Sequence, residues 1–157
     1  MREIKFRGKK CSDGEWVYGS YLESNRSWAG HKPHKSWIVG EAFSNGGWLS
    51  LMGRCAVKEA TVGQFTGLKD KNGREIYEGD IVRETETTYR MTDLGVVRYC
   101  NDEAKFVLHV TDEYRAYDFS FVKDFQSQDG HAIVPCHNEY EVVGNIYDNP
   151  ELIENKS

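Results

Sequence analysis

Three groups of residues have the types that chemistry needs. Five carboxylates crowd one stretch: Glu75, Glu78, Asp80, Glu84 and Glu86. Two carboxylates at one site can act as general acid and base in hydrolysis. But Glu78 and Asp80 flank Gly79 in a turn signal, where aspartate commonly bonds nearby backbone N–H groups. Glu84 and Glu86 alternate along an expected strand, which turns both to water. His31, His34, Cys136 and His137 are donors that suit zinc. Pro33 keeps His34 in a loop, and the adjacent Cys136 and His137 diverge to opposite faces of a strand. The set therefore does not converge, and no metal or other cofactor is expected. The same divergence separates Cys136 from His137 as nucleophile and base. His109 and His131 stand alone and read as ordinary surface or hydrogen-bonded residues. The glycines at 46–47 and 63–67 are followed by no Lys-Ser/Thr and by no helix that would receive a phosphate. With no recognisable catalytic motif, the chain is expected not to be an enzyme.

The third group is aromatic and cationic. Arg26, Trp28, Lys35, Trp37 and Trp48, with Lys32 beside them, are the candidates for an interface or binding surface. Aromatic rings interleaved with cations can stack the bases of a single strand. Trp and Arg also lead protein-interface hot spots, and large rings fill cores. The residue types leave all three readings open.

The elements that must position these residues are strands. Aromatics make up 13% of the 157 residues, which argues against disorder. A chain of this length can bury enough surface to fold without disulfides. Cys11, Cys55, Cys100 and Cys136 are widely spaced and read as free thiols. No stretch approaches the roughly 20 apolar residues of a membrane helix. The charged opening Met1–Gly8 has no apolar signal-peptide core, so a cytoplasmic protein is expected. Charge is uneven. Residues 1–60 hold ten Lys/Arg against six Asp/Glu, or +4, and residues 61–157 hold ten against nineteen, or −9.

Helical periodicity is scarce, while turn residues recur at the rhythm of a barrel or sandwich. Strands are expected at Glu3–Arg7 and Trp16–Leu22, joined as a hairpin through Ser12-Asp13-Gly14. Further strands are expected at Ser36–Val39, Gly47–Met52, from Ile81, and at Leu94–Tyr99, Lys105–Val110, Ala132–Pro135 and Tyr140–Tyr147. Residues 23–35 read as a loop. Asp70-Lys71-Asn72-Gly73 is a tight turn with Gly73 placed for positive φ. Asn149-Pro150-Glu151-Leu152 reads as a short helical turn.

The ordered run Thr-Val-Gly-Gln-Phe-Thr-Gly-Leu-Lys-Asp-Lys-Asn-Gly followed by Glu-Ile-Tyr-Glu-Gly-Asp-Ile-Val, residues 61–82, resembles the signature of the YopX family, small proteins of phages and prophages. Arg2–Arg7, Trp16–Ser20 and Val142–Leu152 are similar to the family's opening, next strand and close. Gly63, Gly67, Asp70, Asn72, Gly73, Gly79 and Asp80 are the signature's structural residues. The resemblance implies an all-β fold, with an N-terminal β subdomain (1–60) and a small SH3-like barrel (61–157) ending in a short helical turn. It also implies a homo-oligomer, and it carries no established activity.

Taken together, these readings predict a cytoplasmic phage or prophage protein in its bacterial host. Its partners would be other copies of itself and an unidentified phage or host protein, with no membrane. One alternative is a nucleic-acid-binding module using residues 26–37; another is a small-molecule-binding or enzymatic counter-defence protein.

Overall fold

β-rich runs punctuated by glycine fold here as short antiparallel strands. The computed structural model describes residues 3–23, 36–40, 53–84, 94–112, 115–120 and 140–154. Among these, the regular structure is strand, apart from a 3-10 turn at Glu59–Thr61 and a four-residue helix, α1 (Glu151–Glu154). The fold is all-β, as the alternation predicts. The chain divides into two compact units, residues 1–65 and 66–157. Residues 61–65 carry no charge, so the first unit holds the +4 and the second the −9.

In the first unit, β1 (Phe6–Lys9) pairs with β2 (Trp16–Glu23) from Phe6↔Gly19 to Lys9↔Trp16. The hairpin turn is stitched locally. Asp13 Oδ1 accepts the Glu15 N–H at 2.9 Å, and Gly14 takes φ +76°. The first strand, expected at Glu3–Arg7, runs instead over Phe6–Lys9, because this turn sets the register. β3 (Ser36–Val39) adds to β2 from Ser20↔Val39 to Glu23↔Ser36, and β4 (Arg54–Ala56) adds to β3. The sheet then curls back on itself. Val57 bridges Lys10, and the Lys58 N–H donates to the Lys9 carbonyl at 2.9 Å. Ile38 and Val57 are buried inside this curl, against Gly8.

Gly19 is required there. Its φ is +154°, and a Cβ would stand 2.0 Å from the Val39 carbonyl oxygen. Only glycine lets the end of β3 approach β2 this closely.

β5 (Gly63–Lys69) begins beside β1 in the first unit and ends in the second. The second unit continues with β6 (Glu75–Tyr77), β7 (Asp80–Glu84), β8 (Leu94–Cys100), β9 (Lys105–Asp112), β10 (Arg115–Ser120) and β11 (Tyr140–Asn145). The five-stranded sheet has the order β10-β9-β8-β7-β11, all antiparallel. Ile76, Val82, Val97, Phe106, Leu108 and Val142 form its buried core. The last strand thus lies beside β7, as a barrel order requires. No pairing among the described residues joins β10 to β11, so closure into an SH3-like barrel is not part of the described sheet. The expected strands at 47–52 and 132–135 fall outside the described residues.

Candidate functional site

The signature residues build backbone. Asp70 is buried, and its Oδ1 accepts the N–H groups of Asn72 (2.8 Å) and Arg74 (2.9 Å). Its Oδ2 accepts the Val142 N–H at 3.1 Å, tying the turn to β11. Burial would raise the Asp70 carboxyl, but these three amides and the Arg74 charge outweigh it and hold it below the ordinary value. The Lys71 N–H adds a bond to the Tyr140 carbonyl at 2.9 Å, and its ammonium pairs with Glu141 at 2.9 Å. That bond from Lys71 lowers the Glu141 carboxyl. Gly73 takes φ +81°, which closes the turn.

The second turn is built the same way. Asp80 is fully buried, and its Oδ2 accepts the Tyr77 N–H at 2.8 Å. Gly79, at φ +83°, donates its N–H to Val97 and accepts from Ile146, both at 2.9 Å. The Thr66 hydroxyl bonds the Ile76 carbonyl at 2.9 Å. Gly63 is buried opposite Arg7, and Gly67 lies exposed at φ +89°. Asp70 and, through Oδ2, Asp80 are engaged as acceptors for backbone amides, the usual fate of a buried polar group.

A different surface lies on the first unit. Residues opposite each other in register share a sheet face, so β1 puts Arg7 and Lys9 beside Tyr18 and Trp16. β3 puts Trp37 beside Leu22 and Val39 beside Ser20, and β4 puts Arg54 beside Val39. Tyr18, Leu22 and Val39 are exposed, at 45%, 43% and 42% of their possible surface. Cations stack on the rings of this face. Arg7 lies 4.7 Å and Lys9 5.4 Å from the Trp16 ring centroid, and Arg54 lies 5.2 Å from that of Trp37. Arg7 is itself buried, whereas Arg54 is exposed.

A groove of about 730 Å³ opens beside this face. Val17 and Tyr18 both line it, as do Ile38 and Val39. Neighbours in a strand point to opposite faces, so the groove lies at the end of the β2–β3 pairing, past Ser20↔Val39, and not on one face alone. Lys10 and Cys55 line it as well. Lys10 bonds Glu15 at 2.8 Å and Asp13 at 3.4 Å, and chiefly through Glu15 its pKa is raised. The Asp13 carboxyl is lowered, first by the Glu15 amide. A smaller groove of about 370 Å³ brings Cys11 beside Cys55. Among the described residues, no three His, Cys, Asp or Glu side chains are placed to hold a metal ion.

The signature turns and the strands they join now stand together, and the comparison with known proteins agrees with them. The family described as YopX protein matches residues 5–154. The chain belongs to the YopX family. The crystal structure of protein EF1440 from Enterococcus faecalis is similar to it at 22% identity, over 98% of this chain and 100% of that one, with a TM-score of 0.45. Among curated proteins, none matches.

In this YopX-family chain the surface candidates divide. Trp37 lies half-buried on β3 under the Arg54 guanidinium. Arg26, Trp28, Lys35 and Trp48 lie outside the described residues, as do His31, His34, Cys136 and His137. His109 lies on β9, half-buried. Sequence reasoning passed over Lys9, Trp16, Tyr18 and Arg54 as a surface. The alternation Arg7-x-Lys9 and Trp16-x-Tyr18 was the available signal, since it sets cations and rings on one face. Among the described residues, no helix is long and apolar enough to cross a membrane.

Proposed function

We propose that this YopX-family chain is a non-enzymatic interaction module of a phage or prophage. It self-associates in the bacterial cytoplasm and binds a phage or host protein. The observation that carries the reading is the coincidence of charge with architecture: one compact unit holds +4, the other −9. Oppositely charged units on one chain favour contact between the basic unit of one copy and the acidic unit of another. The buried Asp70 and Asp80 carboxylates support the non-enzymatic part, since they serve backbone amides.

Light scattering tests the assembly. An oligomer is expected at micromolar concentration in low salt, falling towards monomer near 1 M salt, where the screening length shrinks to about 3 Å. A strict monomer in low salt would remove self-association. Native mass spectrometry tests the other part: a small molecule or metal co-purifying in stoichiometric amount would replace this reading with a ligand-binding or enzymatic one.

A further inference from the structure

We propose that the outer face of the first unit's sheet, around Tyr18, Trp37 and Arg54, binds single-stranded nucleic acid. The surface meets the two requirements of such a site, rings for bases and cations for phosphates. Adjacent strands lie about 4.8 Å apart, and same-face residues on one strand about 7 Å apart. Trp16 and Tyr18 on β2 therefore stand one same-face step apart, an interval that successive bases can follow, while Trp37 lies farther along, two same-face steps beyond Tyr18 on the neighbouring strand. Tyr18 is exposed on β2, and Trp37 lies on β3 opposite Leu22.

Arg54 is exposed while its guanidinium stacks on Trp37 at 5.2 Å. A stacked guanidinium keeps its edge N–H groups for a phosphate. Lys9 adds a second cation to the same face, over the Trp16 ring. The whole unit carries +4, which complements a polyanion. The antiparallel sheet curls, with Val57 bridging back to Lys10.

The same features argue against other occupants. Protein-interface cores are depleted of Lys, whereas here Lys9 lies among the rings beside Arg7. Duplex readout commonly inserts a helix or a two-stranded ribbon into the major groove. This face is a concatenation of four strands, and no helix lies on it among the described residues. The proposal differs from self-association, which rests on the charges of whole units.

The test is anisotropy of a fluorescein-labelled oligothymidine of about twenty nucleotides with the full chain. Binding is expected at low salt and falls steeply as salt rises. Tyr18→Ala and Arg54→Glu, both at exposed positions, each weaken it about tenfold, while far-UV circular dichroism stays that of the parent. The proposal is overturned if the oligonucleotide does not bind in low salt. It is also overturned if both variants bind as the parent does, if a duplex of equal length binds as tightly, or if polyglutamate displaces the oligonucleotide as well as unlabelled strand does. The last outcome would mark an acidic-protein surface. Light scattering on the same samples separates this result from self-association, since a monomer that binds the strand supports the site and removes only the assembly.

Discussion

The Asp70 carboxylate accepts the Val142 amide at 3.1 Å across 72 residues of sequence. One buried side chain thereby closes its own turn and fastens that turn to the chain's last strand. Removing it strands three N–H donors, of which the Val142 amide is buried. Asp70→Ala is expected to cost about 3 kcal/mol. Asp70→Asn, which retains one acceptor oxygen, should cost about 2 kcal/mol. Urea unfolding followed by far-UV circular dichroism measures both, and a loss under half a kcal/mol would show that β11 docks without the turn.

The same carboxylate sets a pH dependence. Its folded-state pKa lies below the ordinary 3.8, because bonds from Val142, Arg74 and Asn72 outweigh burial. A group with a depressed folded pKa binds more protons when unfolded, so stability rises with pH through that range. Its contribution is complete above about pH 4–5 and is lost as pH falls below 3.8 towards the folded value. Midpoints measured between pH 6 and pH 2.5 should fall, and Asp70→Asn should flatten part of that fall. An identical slope in parent and variant would assign the acid sensitivity to other carboxylates.

Gly19 and Gly14 both take positive φ, but for different reasons. A Cβ on Gly19 would stand 2.0 Å from the Val39 oxygen, whereas one on Gly14 meets nothing within 4 Å. Gly14→Ala therefore costs only backbone strain, about 1 kcal/mol. Gly19→Ala must also part β2 from β3, and about 3 kcal/mol is expected. All four tryptophans precede Phe65, so their emission reports the first unit. Equal midpoint shifts for the two variants would mean that β3 yields freely at Val39.

Turn chemistry made much of this fold readable from sequence. Asp13-Gly14 and Asp70–Gly73 act within a few residues, through aspartate acceptors and glycine φ values that local sequence dictates. The β8–β9 hairpin, where Cys100 pairs with Lys105, is built otherwise, with no glycine and with Ala104 at φ +51°. Non-local relations were not readable. Nothing in the residues around Val142 announces Asp70 as its partner, and nothing around Cys11 announces Cys55. Alternation placed Trp16 and Tyr18 on one face, yet it cannot say which face the rest of the chain covers. The exposure of Tyr18 and the stacking of Arg54 on Trp37 follow from packing, which only coordinates provide. Glu78 and Asp80 were legible as turn residues because an acid beside glycine has backbone amides within reach, and Asp80 accepts the Tyr77 N–H.

Gly95 and Leu108 are coupled through the core of the second unit. Gly95 pairs with Val110 on β9, and Leu108 lies two residues along on the same face. A Cβ on Gly95 would meet Leu108 Cγ and Cδ1 at 2.5 Å. Leu108 is buried in the core with Val97 and Phe106, so it has little room to withdraw. Gly95→Ala should therefore cost about 2 kcal/mol by overpacking. Leu108→Ala should cost about 3 kcal/mol through the cavity it leaves. In the double variant the new methyl fills part of that cavity, and the clash is gone. The cost of the double variant should then fall short of the sum of the two single costs by at least about 1 kcal/mol, which a double-mutant cycle in urea reads directly. Strict additivity would mean that Leu108 already swings clear in Gly95→Ala, and that the packing between β8 and β9 is looser than these distances imply.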